Sequence, residues 1–180
     1  MILPFSTQLN GKPTYFVEKI LRGILNEHSH KGLGIAEFIY QSGETLKYQN
    51  VDDIFTVIEN KVKPKLHTIR EDKNDRWKAG TKIDFFINCR QPSMFRFAPV
   101  LPVVSVQEIE VKHHLDYVSI FIDKMVYEIE VCETSKKIKS TDPVIEALVQ
   151  NDGFDSADDF FSYFNKDFKG KIIHWTDLKY

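Results

Sequence analysis

The chain has 180 residues, of which 24 are Lys or Arg and 26 are Asp or Glu, so its formal net charge is −2. A protein that coats nucleic acid without sequence preference is usually strongly basic, because phosphate neutralisation supplies its affinity. That class is therefore disfavoured. Hydrophobic residues make up 42% of the chain and aromatic residues 13%. This composition excludes intrinsic disorder and predicts one domain over residues 1–180.

The cysteine content and the length of the apolar segments exclude further classes of protein. Cys89 and Cys132 are too few for a disulfide scaffold, and neither belongs to a CxxC pair. Residues 1–8 lack the basic segment and apolar run of a signal peptide. No apolar stretch is long enough to span a bilayer. We expect a soluble, cytoplasmic protein that does not contact membranes.

The N-terminal third is predicted to be helical with one long loop. Apolar residues from Phe16 to Ile24 recur at helical spacing, and Thr14 or the preceding turn caps this helix. Residues 26–48 read as a loop that contains an exposed apolar patch at 35–40. A second helix is predicted over about 52–61.

The middle of the chain changes to strand periodicity. Strands are predicted over 65–70, 81–88, about 103–111, 117–122 and 125–132. In the second of these, Ile83, Phe85 and Ile87 alternate with polar residues, except Phe86, and in the last, Tyr127, Ile129 and Val131 point inward. Two helices follow, one capped by Thr141 or Asp142 and one capped by Ser156. A short strand over 171–175 closes the chain. The order predicts an α+β domain built on a small, largely antiparallel sheet or barrel.

Charge is distributed unevenly along the chain. Residues 61–90 contain nine basic and four acidic side chains, whereas residues 141–168 contain seven acidic side chains and Lys166 as their one basic residue. A basic cleft beside the first strands of the sheet is therefore compatible with the near-neutral total.

A motif in the basic segment indicates a family when it is taken together with later segments in the same order. Lys65-x-His67-Thr68-Ile69-Arg70 is followed by Arg76-Trp77 and Gly80, then by a hydrophobic strand. With the Asn151-Asp-Gly-Phe segment and the Lys171-Ile-Ile-His-Trp175 segment, this order resembles the ASCH domain of the PUA-like superfamily. Relative to small members, about 28–60 looks like an insertion and about 113–132 like an added hairpin.

The resemblance implies a compact β-barrel with flanking helices and a role in RNA metabolism. We expect RNA or a nucleotide to bind a cleft lined by Lys65, His67, Thr68, Arg70, Arg76 and Trp77, with Asp152 and Phe154 opposite. No metal or cofactor is expected, because the chain has no Walker loop or dinucleotide fingerprint and its paired histidines, His28/His30 and His113/His114, lack further ligands at suitable spacing.

The resemblance also implies an enzymatic alternative. Some small members deacetylate N4-acetylcytidine through a Lys, a Thr three residues later and a Glu before the C-terminal helix. These map to Lys65, Thr68 and Asp152, with Asp155, Asp158 or Glu146 as substitutes for the carboxylate. A desolvated Lys can activate a threonine hydroxyl, and a carboxylate can orient the Lys.

Each of these residues also has a structural interpretation. Lys65 and Thr68 could be an exposed lysine and an ordinary strand threonine, and Arg70 could pair with Asp72 or Asp152. Trp77 could stack on a base or cover the end of the barrel. His67 could be a general base, a stacking partner or a buried structural histidine. A third function is protein interaction through the patch at 35–40.

Overall fold

A computed structural model describes residues 1–28, 34–131 and 142–180. The helices are α1 (Phe16–His28), α2 (Ile35–Thr45), α3 (Val51–Asn60), α4 (Pro143–Asn151) and α5 (Ala157–Tyr163). The strands are β1 (Ile2–Phe5), β2 (Gln8–Leu9), β3 (Lys12–Pro13), β4 (His67–Arg70), β5 (Lys82–Ile87), β6 (Phe95–Arg96), β7 (Leu101–Pro102), β8 (Ser105–His113), β9 (Tyr117–Ile122), β10 (Met125–Glu130) and β11 (Phe168–His174). The predicted α+β class is confirmed. Across the described ranges, none of the helices has the length and apolar character needed to cross a membrane.

The chain divides into two compact units. The first consists of residues 1–66 and 80–102, and the second of residues 67–79 and 103–180. Each unit has its own sheet and its own buried apolar residues. The expected single domain over residues 1–180 stays a prediction.

The first unit is built on β5, which pairs with β1 in parallel and with β6 and β7 in antiparallel orientation. The predicted alternation of β5 is confirmed, because Ile83, Phe85 and Ile87 are all buried. Phe5 of β1 stacks on Phe85 with ring centroids 6.0 Å apart. This aromatic contact joins two strands that lie eighty residues apart in the sequence.

The helices of the first unit correct one prediction. Among the described residues of 26–48, most are helical rather than part of a loop: α1 continues to His28, and α2 occupies Ile35–Thr45. Ile35 and Ile39 are buried, whereas Tyr40 is 48% exposed, so the apolar patch predicted at 35–40 is exposed only in part. A Cβ at Gly43 would lie 3.1 Å from the Ile54 side chain. The glycine that weakens the helical pattern of α2 therefore leaves room for the Ile54 side chain of α3 to pack closely against it.

The second unit contains a five-stranded antiparallel sheet in the order β10-β9-β8-β11-β4. The predicted hairpin is confirmed as β9 and β10, with Ile129 buried and Tyr127 and Val131 half-buried on the inner face. Within the described residues the strands form three sheets and no closed barrel, because β10 and β4 remain at opposite edges. The expected barrel is therefore not seen in this part of the chain.

Helices α4 and α5 pack on one face of this sheet. The Asp142 carboxylate accepts hydrogen bonds from the N–H groups of Val144 and Ile145, and the Ser156 hydroxyl accepts one from Asp159 N–H. The predicted cap at Ser156 is confirmed. Of the two residues predicted to cap α4, Asp142 accepts these bonds, and Thr141 lies outside the described residues. A stripe of phenylalanines in and just after α5, made of Phe160, Phe161 and Phe164, is buried in the core.

Gly170 in β11 allows the ring of Phe168 to pack directly on the strand backbone. A Cβ at Gly170 would lie 2.7 and 2.8 Å from two ring carbons of Phe168, and it would also clash with the backbone oxygen of Arg70. The ring of Phe168 thus covers the space above Gly170.

We expect Gly170→Ala to lower the free energy of unfolding by about 1–3 kcal/mol, because backbone and ring must shift to admit a methyl group. Urea denaturation followed by circular dichroism measures the change. Lys169→Ala, at the exposed neighbouring position, is the matched control and should stay within about 0.5 kcal/mol of the wild type. Equal stability of Gly170→Ala and wild type would contradict this packing.

Candidate functional site

The predicted motif lies on β4, at the edge of the sheet in the second unit. Within the described residues β4 pairs with β11 alone. The backbone N–H of Ile69 donates to the Oδ1 atom of Asp152, 3.1 Å away, and Asp152 is 3% exposed. The carboxylate therefore satisfies a strand N–H that would be costly to bury without a partner. It also attaches the end of α4 to the edge of β4.

The same carboxylate lies beside a buried histidine. His67 is fully buried; its Nδ1 atom is 3.7 Å from Asp152 Oδ1, and its Nε2 atom is 2.8 Å from the Tyr180 hydroxyl. The Asn151 amide donates to the same hydroxyl at 3.0 Å. Burial raises the pKa of Tyr180, so this phenol stays neutral. His67 therefore has the contacts expected of the structural interpretation.

The backbone of Tyr180 is fixed by one side chain. Gln107 of β8 accepts a hydrogen bond from Tyr180 N–H at 2.9 Å and donates to the Tyr180 carbonyl at 2.8 Å. Gln107 also donates to Asp123 at 3.0 Å. This two-point contact explains how a residue outside the sheet places its ring on His67.

A second buried histidine lies next to the first. The ring centroids of His174 and His67 are 5.3 Å apart. Neither ring nitrogen of His174 has a hydrogen-bond partner among the described residues, and the same holds for the Ser105 hydroxyl, which is opposite His174 on β8. Burial lowers the pKa of His174 to about 4; nearby Lys179 lowers it further, whereas Asp123 acts in the opposite direction. His174 is therefore neutral at pH 7.

The predicted catalytic residues are both buried. Thr68 is 3% exposed in the second unit, and strand alternation directs its side chain to the sheet face opposite that of His67. Lys65, in the first unit, is 1% exposed with its Nζ atom 4.8 Å from the centroid of the Phe16 ring. The exposed-lysine interpretation is therefore wrong. The joint catalytic role of Lys65, Thr68 and Asp152 stays a prediction.

The remaining predicted site residues lie in different environments. Trp77 is 5% exposed, and its N–H donates to Asp72, whose carboxylate lies 3.5 Å from the buried Lys171 ammonium. The ring has little free surface for a base, in agreement with the covering interpretation. Phe154 packs on Phe160 with centroids 5.4 Å apart. Arg76 is exposed.

Arg70 lines an open groove of about 470 Å³ in the second unit, which we call the Arg70 groove. Its walls come from the end of β4 and from the connection between α5 and β11, and its lining is Ile69, Arg70, Glu71, Tyr163, Phe164, Asn165, Lys166, Asp167 and Phe168. The volume falls within the range of roughly 300–1,000 Å³ typical of small-molecule sites.

Both acidic residues of the groove are already engaged. Asp167 accepts a hydrogen bond from His113 N–H at 2.9 Å, and the Glu71 carboxylate is 3.2 Å from the Lys73 ammonium. The His113 ring contacts the Phe164 carbonyl at 2.8 Å. His113 therefore holds the α5–β11 connection at two points, which fixes one wall of the groove before any ligand binds.

The residues predicted for the site did not include Tyr163, Asn165 or Lys166. Two signals were present: Tyr163 interrupts the phenylalanine stripe, and Lys166 is the one basic residue of an acidic segment. Tyr180 had no such signal, because it lies 113 residues from the histidine that it contacts.

The prediction that the chain has no metal site concerns some residues that are not described, because His30 and Cys132 lie in the gaps. His113 and His114 are described: the first contacts a carbonyl, and the second stacks on Tyr117 with centroids 4.2 Å apart. Among the described residues, no group of three potential ligands could hold a metal ion.

The buried His174 predicts a pH dependence of stability. The unfolded state binds a proton near pH 6.5, whereas the folded state resists protonation until about pH 4. The free energy of unfolding should therefore have its full value above pH 6.5. It should fall by about 3 kcal/mol as the pH drops to about 4. Urea titrations across this window measure the slope.

His174→Gln removes the titrating group and should flatten the slope between pH 6.5 and 4 relative to the wild type. His114→Gln, at an exposed position, is the matched control and should keep the wild-type slope. If His174→Gln also keeps it, another group causes the pH dependence.

In comparisons with known proteins, no family model, no curated protein and no solved structure matches this chain.

Proposed function

We propose that the second unit binds a phosphorylated nucleoside in the Arg70 groove, either as a free nucleotide or as an unpaired nucleotide of an RNA. The observation that carries this proposal is the placement of Arg70 and Lys166 in one groove with the exposed ring of Tyr163. The groove thus combines the two contacts that such a ligand needs, a phosphate contact and a stacking surface.

The side chains that line the Arg70 groove offer different contacts to the phosphate and to the base. Arg70 offers a planar guanidinium that can bind two phosphate oxygens together, and Lys166 adds a second positive charge. Tyr163, which is 47% exposed, offers a ring face for a base. Asn165 carries both a donor and an acceptor, as needed for a base edge.

The buried motif residues favour a compact ligand over an extended nucleic-acid surface. Lys65, His67, Thr68 and Trp77 are all at most 5% exposed. Of the six residues predicted to line the cleft on the motif side, Arg70 and Arg76 are therefore the ones that reach the surface. A long RNA backbone would require a continuous basic track. A single nucleotide requires one cation cluster and one ring.

We further propose that the fold is a PUA-like fold of the ASCH type. The order of elements supports this: α1, the motif strand β4, the hydrophobic strand β5, then β8, α5 and β11 follow the order of the resemblance.

Arg70→Ala is expected to weaken nucleoside monophosphate binding about tenfold or more, because a charge-assisted hydrogen bond is lost. Isothermal titration with nucleoside monophosphates and with a short single-stranded RNA measures the affinity and distinguishes the two sources of the ligand. The melting temperature should change little.

Arg76→Ala is the matched control, since Arg76 is exposed and does not line the groove. It should bind like the wild type. Tyr163→Ala should lose binding while Tyr163→Phe keeps it, because the phenyl ring preserves stacking. A fall in stability of Arg70→Ala equal to its loss of binding would assign Arg70 a structural role.

A second candidate function is deacetylation of N4-acetylcytidine-type nucleosides. The burial of Lys65 favours it, because desolvation disfavours the ammonium form and so favours a neutral amine that can accept the proton of a hydroxyl. In this reaction the Thr68 oxygen would attack the acetyl carbonyl carbon and the Lys65 amine would accept the hydroxyl proton. The C–N bond breaks as the leaving amine is protonated, and water then hydrolyses the acetyl ester to acetate.

Thr68→Ala is expected to abolish release of cytidine from N4-acetylcytidine while binding is retained. Chromatography of the products measures turnover, and Thr176→Ala, at another buried threonine, is the control that should stay active. Absence of cytidine with the wild type would overturn this second function and leave the nucleotide-binding proposal standing.

A further inference from the structure

Strand β10 forms one edge of the five-stranded sheet. Within the described residues it pairs with β9 alone. At the other edge, the outward N–H of Ile69 is already bonded to Asp152. The β10 edge also exposes apolar side chains: Met125 is 59% exposed and Val126 is 53% exposed. Such an edge offers backbone groups and apolar surface to another strand.

The register of the hairpin shows which backbone groups point outward. Val131 donates its N–H to the carbonyl of Asp116 on the β9 side. Because the direction of N–H and C=O groups alternates along a strand, Met125, Tyr127 and Ile129 also bond toward β9. Val126, Glu128 and Glu130 therefore direct their N–H and C=O groups to the free edge.

The charges along this edge are self-complementary. Lys124, in the turn before β10, is exposed, and so are Glu128 and Glu130 at the other end. An antiparallel copy of the same strand places the basic end of one copy beside the acidic end of the other. A parallel copy would place like charges together, which is destabilising.

We infer that β10 pairs antiparallel with β10 of a second copy of this chain, with the two-fold axis at Tyr127. In this register Val126 of each copy exchanges backbone hydrogen bonds with Glu128 of the other. Lys124 of each copy faces Glu130 of the other. The two sheets become one continuous ten-stranded sheet, and the interface is isologous.

In this register, the inner face of the paired β10 strands extends the apolar core of the second unit. Tyr127 and Ile129 lie on the side of the core cluster in the second unit. Tyr127 of one copy faces Tyr127 of the other across the axis, and Met125 faces Ile129. These are aromatic and apolar cross-strand pairs, which stabilise antiparallel sheets.

Neighbouring registers are less favourable. An axis at Glu128 places the two Glu128 carboxylates opposite each other. An axis at Val126 keeps Lys124 near Glu128 but leaves Ile129 and Glu130 without a facing residue in the strand. Tyr127 is thus the axis that combines the longest overlap with opposite charges at both ends.

Sedimentation velocity across a concentration series tests the pairing. The wild type should rise from the monomer mass of 21.0 kDa toward twice that mass. Val126→Pro removes an outward N–H that the monomer does not use, so this variant should keep its circular dichroism spectrum and remain at the monomer mass.

A charge exchange tests the register. Glu130→Lys places two lysines opposite each other and should weaken dimerisation about tenfold, and adding Lys124→Glu should restore it. Glu110→Lys, on β8 away from the edge, is the control that should dimerise normally. A wild type that stays at 21.0 kDa up to about millimolar concentration, or a double variant that stays weak, would overturn the inference. Neither result bears on the Arg70 groove.

Discussion

The hydrogen bond from Ile69 N–H to the Asp152 carboxylate is the constraint on which the rest of the second unit depends. It attaches the C-terminal end of α4 to the edge of β4 and places a carboxylate beside His67. Without it, β4 would present a buried N–H with no partner at that edge, at a cost of about 1–3 kcal/mol. Both the histidine cluster on one side and the Arg70 groove at the end of β4 rely on this attachment.

Two different environments therefore arise from four consecutive strand residues. His67 and Ile69 face the interior and are used for packing and hydrogen bonding, whereas Arg70 is half-buried and reaches the groove at the strand end. The buried half is suited to rigidity, because its polar groups are largely satisfied within the protein. The exposed half is suited to a ligand, because His113 already holds one wall of the groove at two points.

The sequence predicted the parts of the fold whose signals are local. The caps at Asp142 and Ser156, the alternation in β5 and the β9–β10 hairpin each depend on neighbouring residues. The missed elements depend on distant partners: β1 is four residues long and is stabilised by β5, and α2 contains Gly43 because Ile54 packs against it. The same limit applies to the site. Arg70 was found through its motif, whereas the Tyr180–His67 contact and the groove wall at 163–168 arise from tertiary packing alone.

The chain has two tryptophans, Trp77 and Trp175, and both belong to the second unit. They are 5% and 1% exposed, so their emission should shift to longer wavelength when this unit opens and water reaches the indole rings. The first unit contains no such fluorophore. Intrinsic fluorescence therefore reports the second unit selectively, and its comparison with far-ultraviolet circular dichroism, to which helices α1, α2 and α3 contribute strongly, would reveal whether the two units lose their structure in one cooperative step.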